Sequence, residues 1–155
     1  MADRDLKREN TGLGLVLGGL AVLSIVLGVA AYWRYASSEK YVKEGMDQMD
    51  QIGPTLEAEE CVDRVLEWSS LCDANGTNAA VCQQAVPILM FHCLDGRDRT
   101  EECAPYKDPR ESGKWVQKVC DDKGMHCQNK RECPCADAYR GLESFCLNDG
   151  EAVQL

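Results

Sequence analysis

The cysteines constrain this chain more than any other feature. All ten (Cys61, Cys72, Cys82, Cys93, Cys103, Cys120, Cys127, Cys133, Cys135 and Cys146) lie after residue 60 of a 155-residue chain. An even number confined to one part of a chain reads as a disulfide framework. A glutathione-reduced cytosol would not maintain so many bridges, so an oxidising compartment is expected for this part.

The spacing says more. Ten residues separate Cys61 from Cys72, and ten separate Cys82 from Cys93. Eleven helical steps of about 100° return to within about 20° of the start, so each pair lies on one helix face, three turns apart. In an antiparallel hairpin a common register requires paired residue numbers to share one sum. Cys61–Cys93 and Cys72–Cys82 meet that condition. The intervening Asp73-Ala74-Asn75-Gly76-Thr77-Asn78 is turn chemistry. Thr55, Glu57, Glu59 and Glu60 suit a helix start. Val62, Val65 and Leu66 flank the first cysteine face, and Val81, Ala85, Ile88, Leu89 and Phe91 the second. Pro87 falls inside the second helix, where it removes a backbone donor, so a kink or break is expected near Ala85–Pro87.

Two cysteine pairs on two antiparallel helices resemble the coiled-coil-helix-coiled-coil-helix hairpin of small mitochondrial intermembrane-space proteins. The likeness covers Cys61 to Cys93, with one residue more between paired cysteines than most members have, and with a membrane segment that is unusual there. It implies a helical hairpin held by two bridges.

Beyond Cys93 the pattern is looser. Ser112 to Val119 reads as a short helix carrying Trp115, and the ten residues between Cys135 and Cys146 also read as helical. A nested set of Cys103–Cys146, Cys120–Cys135 and Cys127–Cys133 would make a second hairpin, as one of the 15 connectivities that six cysteines allow.

Ahead of the cysteines, Gly12 to Trp33 contains no charged residue. These 22 positions span about 33 Å as a helix, matching a hydrocarbon core of roughly 30 Å. Tyr32, Trp33 and Tyr35 cluster at one end, where aromatic rings favour the headgroup interface. The alternative is a signal peptide cleaved near Ala30, giving a secreted binding protein, but the run exceeds the length of a signal-peptide core. Arg4, Lys7 and Arg8 before the run balance Arg34, Lys40 and Lys43 after it. The positive-inside rule therefore ties, and the cysteines place the N-terminus inside and the C-terminal domain in periplasm, intermembrane space or extracellular space. Gly14, Gly18, Ala21, Ser24 and Gly28 form a small-residue stripe, which lets helix backbones approach closely in lipid. It marks a face for a membrane-protein partner or a second copy of this chain.

The resulting expectation is an all-α protein with one N-terminal transmembrane helix and a small disulfide-rich helical-hairpin domain. The order is a short inner N-terminus (1–11), a transmembrane helix (12–33), a juxtamembrane stalk (34–54), a first stapled hairpin (55–96), and a second Cys-rich segment with tail (97–155). The stalk carries sparse apolar positions (Val42, Met46, Met49, Ile52) and ends at Gly53-Pro54.

Charge and motifs narrow the function classes. The chain has 17 basic and 26 acidic side chains, a net charge of −9, and residues 1–34 contain only three of the acidic ones. So acidic a domain is not built to neutralise phosphates, and no nucleic-acid partner is expected. No Cys-x-x-Cys redox motif or phosphate-binding glycine loop occurs. The only histidines are His92 and His126, and Glu101-Glu102 and Asp121-Asp122 read as solvated loop pairs. Asn75-Gly76-Thr77 is a glycosylation sequon, meaningful only in a eukaryotic secretory route. The sequence therefore points to a non-enzymatic accessory or assembly subunit without a cofactor. The alternative is a membrane-tethered thiol-redox or metal-binding factor using Cys127, Cys133 and Cys135, with His126 as a fourth ligand.

Overall fold

The structure, a computed structural model, describes residues 2–75, 77–107, 112–127 and 133–148, with side chains described outside 2–15, 34, 73 and 112. It is all-α: six helices, two 3-10 turns, and no strand among the described residues. The helices are α1 (Ala2–Ile52), α2 (Ala58–Ala74), α3 (Ala79–Leu94), α4 (Thr100–Cys103), α5 (Ser112–Asp122) and α6 (Pro134–Leu147). Two compact units result, residues 1–36 and 37–155.

In the first unit, α1 presents apolar side chains on every side. Val16, Leu17, Leu20, Leu23, Ile25, Leu27 and Val29 are all exposed. This helix is the one among the described residues that is long and apolar enough to cross a membrane. Ser24, the polar side chain in the stretch, donates its hydroxyl to the Leu20 carbonyl at 2.9 Å. That bond gives the hydroxyl a partner within the helix itself.

The second unit begins earlier than the sequence suggests. The boundary expected at Gly53-Pro54 lies instead at Ser37. The reason is packing. Ser38 and Met49 are buried, while Tyr41, Val42, Met46 and Ile52 lie against the core. Tyr41 stacks on Trp68 with ring centroids 5.5 Å apart, the Ser38 hydroxyl accepts the Asn78 N–H, and His92 pairs with Asp50 at 2.8 Å. The apolar positions of the stalk are sparse because one stripe of this helix is covered, which is the amphipathic pattern of a packed helix.

α2 and α3 form an antiparallel hairpin with Cα atoms of Cys61 and Cys93 5.8 Å apart, and those of Cys72 and Cys82 5.9 Å apart. The Glu57 N–H donates to the Glu60 carboxylate at 2.8 Å, the reach-back half of a capping box. The Asn78 side chain caps α3 by accepting the Ala80 N–H. No break occurs at Pro87, and α3 runs unbroken from Ala79 to Leu94. One lost hydrogen bond is outweighed by the burial of Ala85, Val86, Leu89 and Met90 around it, between bridges at Cys82 and Cys93.

α6 is not confined to a separate second hairpin. It packs on α3 and α2 as well as on α5, burying Ala138, Tyr139, Leu142 and Phe145. Phe145 meets Phe91 edge-to-face at 5.7 Å, and Trp115 meets Tyr139 at 5.5 Å. One core therefore serves both cysteine-rich halves.

A buried arginine joins the ends of several elements. Arg99 is 3% exposed. It donates to the carbonyls of Leu94 (3.2 Å), Leu56 (2.6 Å), Gly53 (2.9 Å) and Cys93 (3.2 Å), and to the Glu102 carboxylate (3.0 Å). Glu102 also accepts the Ala58 N–H at 2.6 Å and pairs with Arg97. Glu101-Glu102 and Asp121-Asp122 thus sit on α4 and α5, not in loops: Glu102 is drawn into the Arg99 network while Glu101 stays exposed, and Asp121 and Asp122 are both exposed at the end of α5.

The Arg99 cradle needs a glycine. A Cβ on Gly53 would collide with the Cys93 carbonyl oxygen and come within 2.9 Å of its carbon. Backbone cannot yield as a flexible side chain would. Gly53→Ala should lower stability by about 1–3 kcal/mol, the usual cost of overpacking. Chemical denaturation followed by tryptophan fluorescence measures it, and an unchanged midpoint would contradict the close approach.

Candidate functional site

The ten cysteines are all bridged. The structure joins Cys61 to Cys93, Cys72 to Cys82, Cys103 to Cys146, Cys120 to Cys135 and Cys127 to Cys133. The first three bridges are deeply buried. Cys120–Cys135 is buried as deeply, and it adjoins Cys127–Cys133 where α5 ends and α6 begins.

Local chain chemistry builds this junction. α5 ends in a Schellman motif. Gly124 adopts φ +75°, a left-handed conformation that favours glycine. The Met125 N–H reaches back to the Cys120 carbonyl at 2.8 Å, and the Gly124 N–H to Asp121 at 2.9 Å. The chain thereby turns Met125, His126 and Cys127 back alongside the helix end. Glycine after Lys123 is a readable stop signal. α6 starts with Pro134 at its first position, which suits a helix N-terminus. Cys133 is its N-cap, with Sγ accepting the Ala136 N–H at 3.3 Å. The Sγ atoms of Cys120, Cys127 and Cys133 all lie within 4.8 Å of one another.

A groove of about 280 Å³ opens over this junction, lined by Leu66, Ser69, Met125, His126, Cys127, Cys133 and Pro134 among others. Cys120 and Cys135 are fully buried, and Cys133 is 4% exposed. Cys127 is the one cysteine of the ten that is only partly buried.

Among the candidate metal ligands, Cys127 and Cys133 do come together, but with Cys120 as the third member of the sulfur cluster. Cys135 is bonded to Cys120, and His126 pairs through Nδ1 with Asp121 at 3.0 Å. Bridged sulfurs are not thiolates, and zinc binds the thiolate. Gly18, Ala21 and Gly28 are exposed, and a Cβ on Gly18 or Gly28 would meet nothing within 4 Å. The surroundings of Gly14 lie outside the described residues. Asn75 is exposed, with its side-chain amide 3.5 Å from the Tyr41 hydroxyl, and Gly76 of the sequon lies outside the described residues.

Behind the junction, α2 and α6 share a polar seam with Tyr106 and with Lys123, just past the end of α5. Both Tyr139 and Tyr106 donate hydroxyls to the Glu59 carboxylate, at 2.7 and 2.8 Å. Lys123 pairs with Asp63 at 2.6 Å. Burial, together with the hydrogen bond to Glu59 and its charge, pushes the Tyr139 phenol far above its ordinary value. A raised folded-state value favours the neutral phenol, so this stabilisation is complete below about pH 10 and is lost as pH rises beyond it. In a spectrophotometric titration at 295 nm, Tyr139 should stay silent until the domain unfolds in alkali, and Tyr139→Phe should remove one late-titrating phenol. Simultaneous ionisation of every tyrosine would count against the buried bond.

No protein-family model, curated protein or solved structure matches the chain.

Proposed function

We propose that the chain is a non-enzymatic, single-pass membrane protein that serves as an accessory or assembly subunit of a larger membrane complex. The observation that carries this reading is the contrast between its two units. Residues 16–33 of α1 are all exposed and, apart from Ser24, carry no polar side chain but the interfacial rings of Tyr32 and Trp33. The second unit buries its own core and joins all ten cysteines in pairs. A surface apolar on all sides is stable in lipid, not in water. Orientation follows from chemistry: the bridges persist in an oxidising compartment, so the stapled domain lies there and the short N-terminus lies inside.

Within the membrane, Gly18, Ala21, Ser24 and Gly28, with Gly14, offer a face on which a partner helix or a second copy can approach closely. Outside it, the stapled domain presents a rigid acidic surface to a partner of complementary charge.

The test is native electrophoresis of detergent-solubilised source membranes, paired with a Gly18→Ile variant. The wild type should migrate in a higher-mass assembly, and the variant should shift toward the free chain while its domain keeps native tryptophan fluorescence. Migration of the wild type as a free monomer alone would refute the subunit reading.

A further inference from the structure

We propose that the Cys127–Cys133 bridge is a thiol–disulfide exchange site, entered by an external dithiol through the groove and relayed inward to Cys120–Cys135. Four independent features converge on it. The bridge borders an open groove of about 280 Å³ with apolar walls from Leu66, Met125 and Pro134. Its two sulfurs are unequal in access, Cys127 being partly exposed and Cys133 buried. Cys133 sits at the N-terminus of a 14-residue helix and accepts the Ala136 N–H. Cys120 Sγ, half of a second bridge, lies within 4.8 Å of both outer sulfurs. None of the three remaining bridges borders this groove.

The inequality sets the direction of attack. Exchange is fastest when the attacked sulfur is accessible and the departing sulfur is stabilised as a thiolate. Helix N-termini lower thiol pKa values through their free N–H groups. The incoming thiolate therefore bonds to Cys127 Sγ, the Cys127–Cys133 bond breaks, and its electron pair stays on Cys133. The second thiol of the external dithiol then attacks the first donor sulfur, the bond between that sulfur and Cys127 Sγ breaks, and Cys127 departs with the electron pair and takes up a proton. The donor leaves as a closed disulfide, and Cys127 is left as a thiol. Two electrons and two protons pass from the dithiol to the protein.

The relay follows without further reductant. The Cys133 thiolate attacks Cys120 Sγ, the Cys120–Cys135 bond breaks, and Cys135 departs as the thiolate that takes up the remaining proton. One bridge forms as one is lost. The partly reduced protein then holds Cys120–Cys133 with free thiols at Cys127 and Cys135. This site stands whether or not the domain docks on a partner.

The experiment treats the full chain in detergent with limiting dithiothreitol, quenches with acid, alkylates, and maps cysteines by mass spectrometry. Cys127–Cys133 should open at least about ten-fold faster than Cys61–Cys93, Cys72–Cys82 and Cys103–Cys146, as accessibility and leaving-group stability require. A peptide pair linked through Cys120–Cys133 should appear, with label on Cys127 and Cys135. With oxidised glutathione after partial reduction, the adduct should form on Cys127 in preference to Cys133. A second arm uses Cys127→Ser, which leaves Cys133 without its partner. Label should then be found on Cys135 as well as Cys133, in proportion to the relay. Simultaneous opening of all bridges would overturn the entry site. Label confined to Cys127 and Cys133 in the wild type, and to Cys133 in the variant, would overturn the relay.

Discussion

Arg99→Ala lowers the stability of the second unit by about 3–5 kcal/mol, the cost of removing one partner from a buried charge network. The side chain is 1% exposed and serves four backbone carbonyls and one carboxylate at once. Those carbonyls come from Gly53, Leu56, Cys93 and Leu94. Truncation leaves them without their donor and strands Glu102 half-covered beside Arg97. Arg99→Lys should recover only part of the loss, because an ammonium is a point donor and cannot span acceptors arranged around a planar fork. Denaturant titration of the full chain in detergent, followed through Trp68, gives the difference directly. A loss below about 1 kcal/mol would mean that water replaces the guanidinium readily.

The same network has an acid signature. Burial pushes the Glu102 carboxyl up, but the Ala58 N–H, the Arg99 charge and its hydrogen bonds, and the Arg97 hydrogen bond outweigh it, so the net value lies below the ordinary one. A depressed folded-state value contributes stability above the unfolded value of 4.5, and that contribution is lost as pH falls through the folded one. In Arg99→Ala the acid-induced loss should be smaller, since less favours the carboxylate there.

Replacing Cys61 and Cys93 together by Ala lowers stability by about 4 kcal/mol on the chain-entropy account, because the bridge closes a loop with a sequence separation of 32. Both residues are fully buried, so lost packing adds to that. Replacing Cys127 and Cys133, whose separation is 6, should cost only about 2 kcal/mol by the same reasoning. Urea midpoints of the two double variants, measured side by side, test the ordering. Equal losses would show that strain or packing, not loop closure, dominates.

Much of the helical architecture is legible from periodicity. An uncharged run of 22 residues is long enough for a membrane helix on length alone. Cysteines eleven positions apart share a helix face, and an antiparallel register leaves one way for two such faces to meet. Arg99 is different. Nothing in Asp98-Arg99-Thr100 distinguishes a buried arginine from a solvated one, because its acceptors come from positions 53, 56, 93 and 94, brought together only when the elements dock. The stalk shows the same limit. Tyr41, Val42, Met46 and Met49 have helical spacing, yet whether that stripe faces solvent, another chain or Trp68 depends on what stands opposite.

Helical periodicity, turn chemistry, the hydrophobic length of the first helix and the common face of each cysteine pair are local properties. These depend on residues a few positions apart, so the chain carries them in its spacing. That α6 lies on α3, that Arg99 is enclosed by four carbonyls, and that Cys120 stands within 4.8 Å of Cys127 and Cys133 come from the folded arrangement alone. Those arrangements arise from the packing of distant segments into one core, where shape complementarity and the pairing of buried polar groups select among folds with the same local pattern.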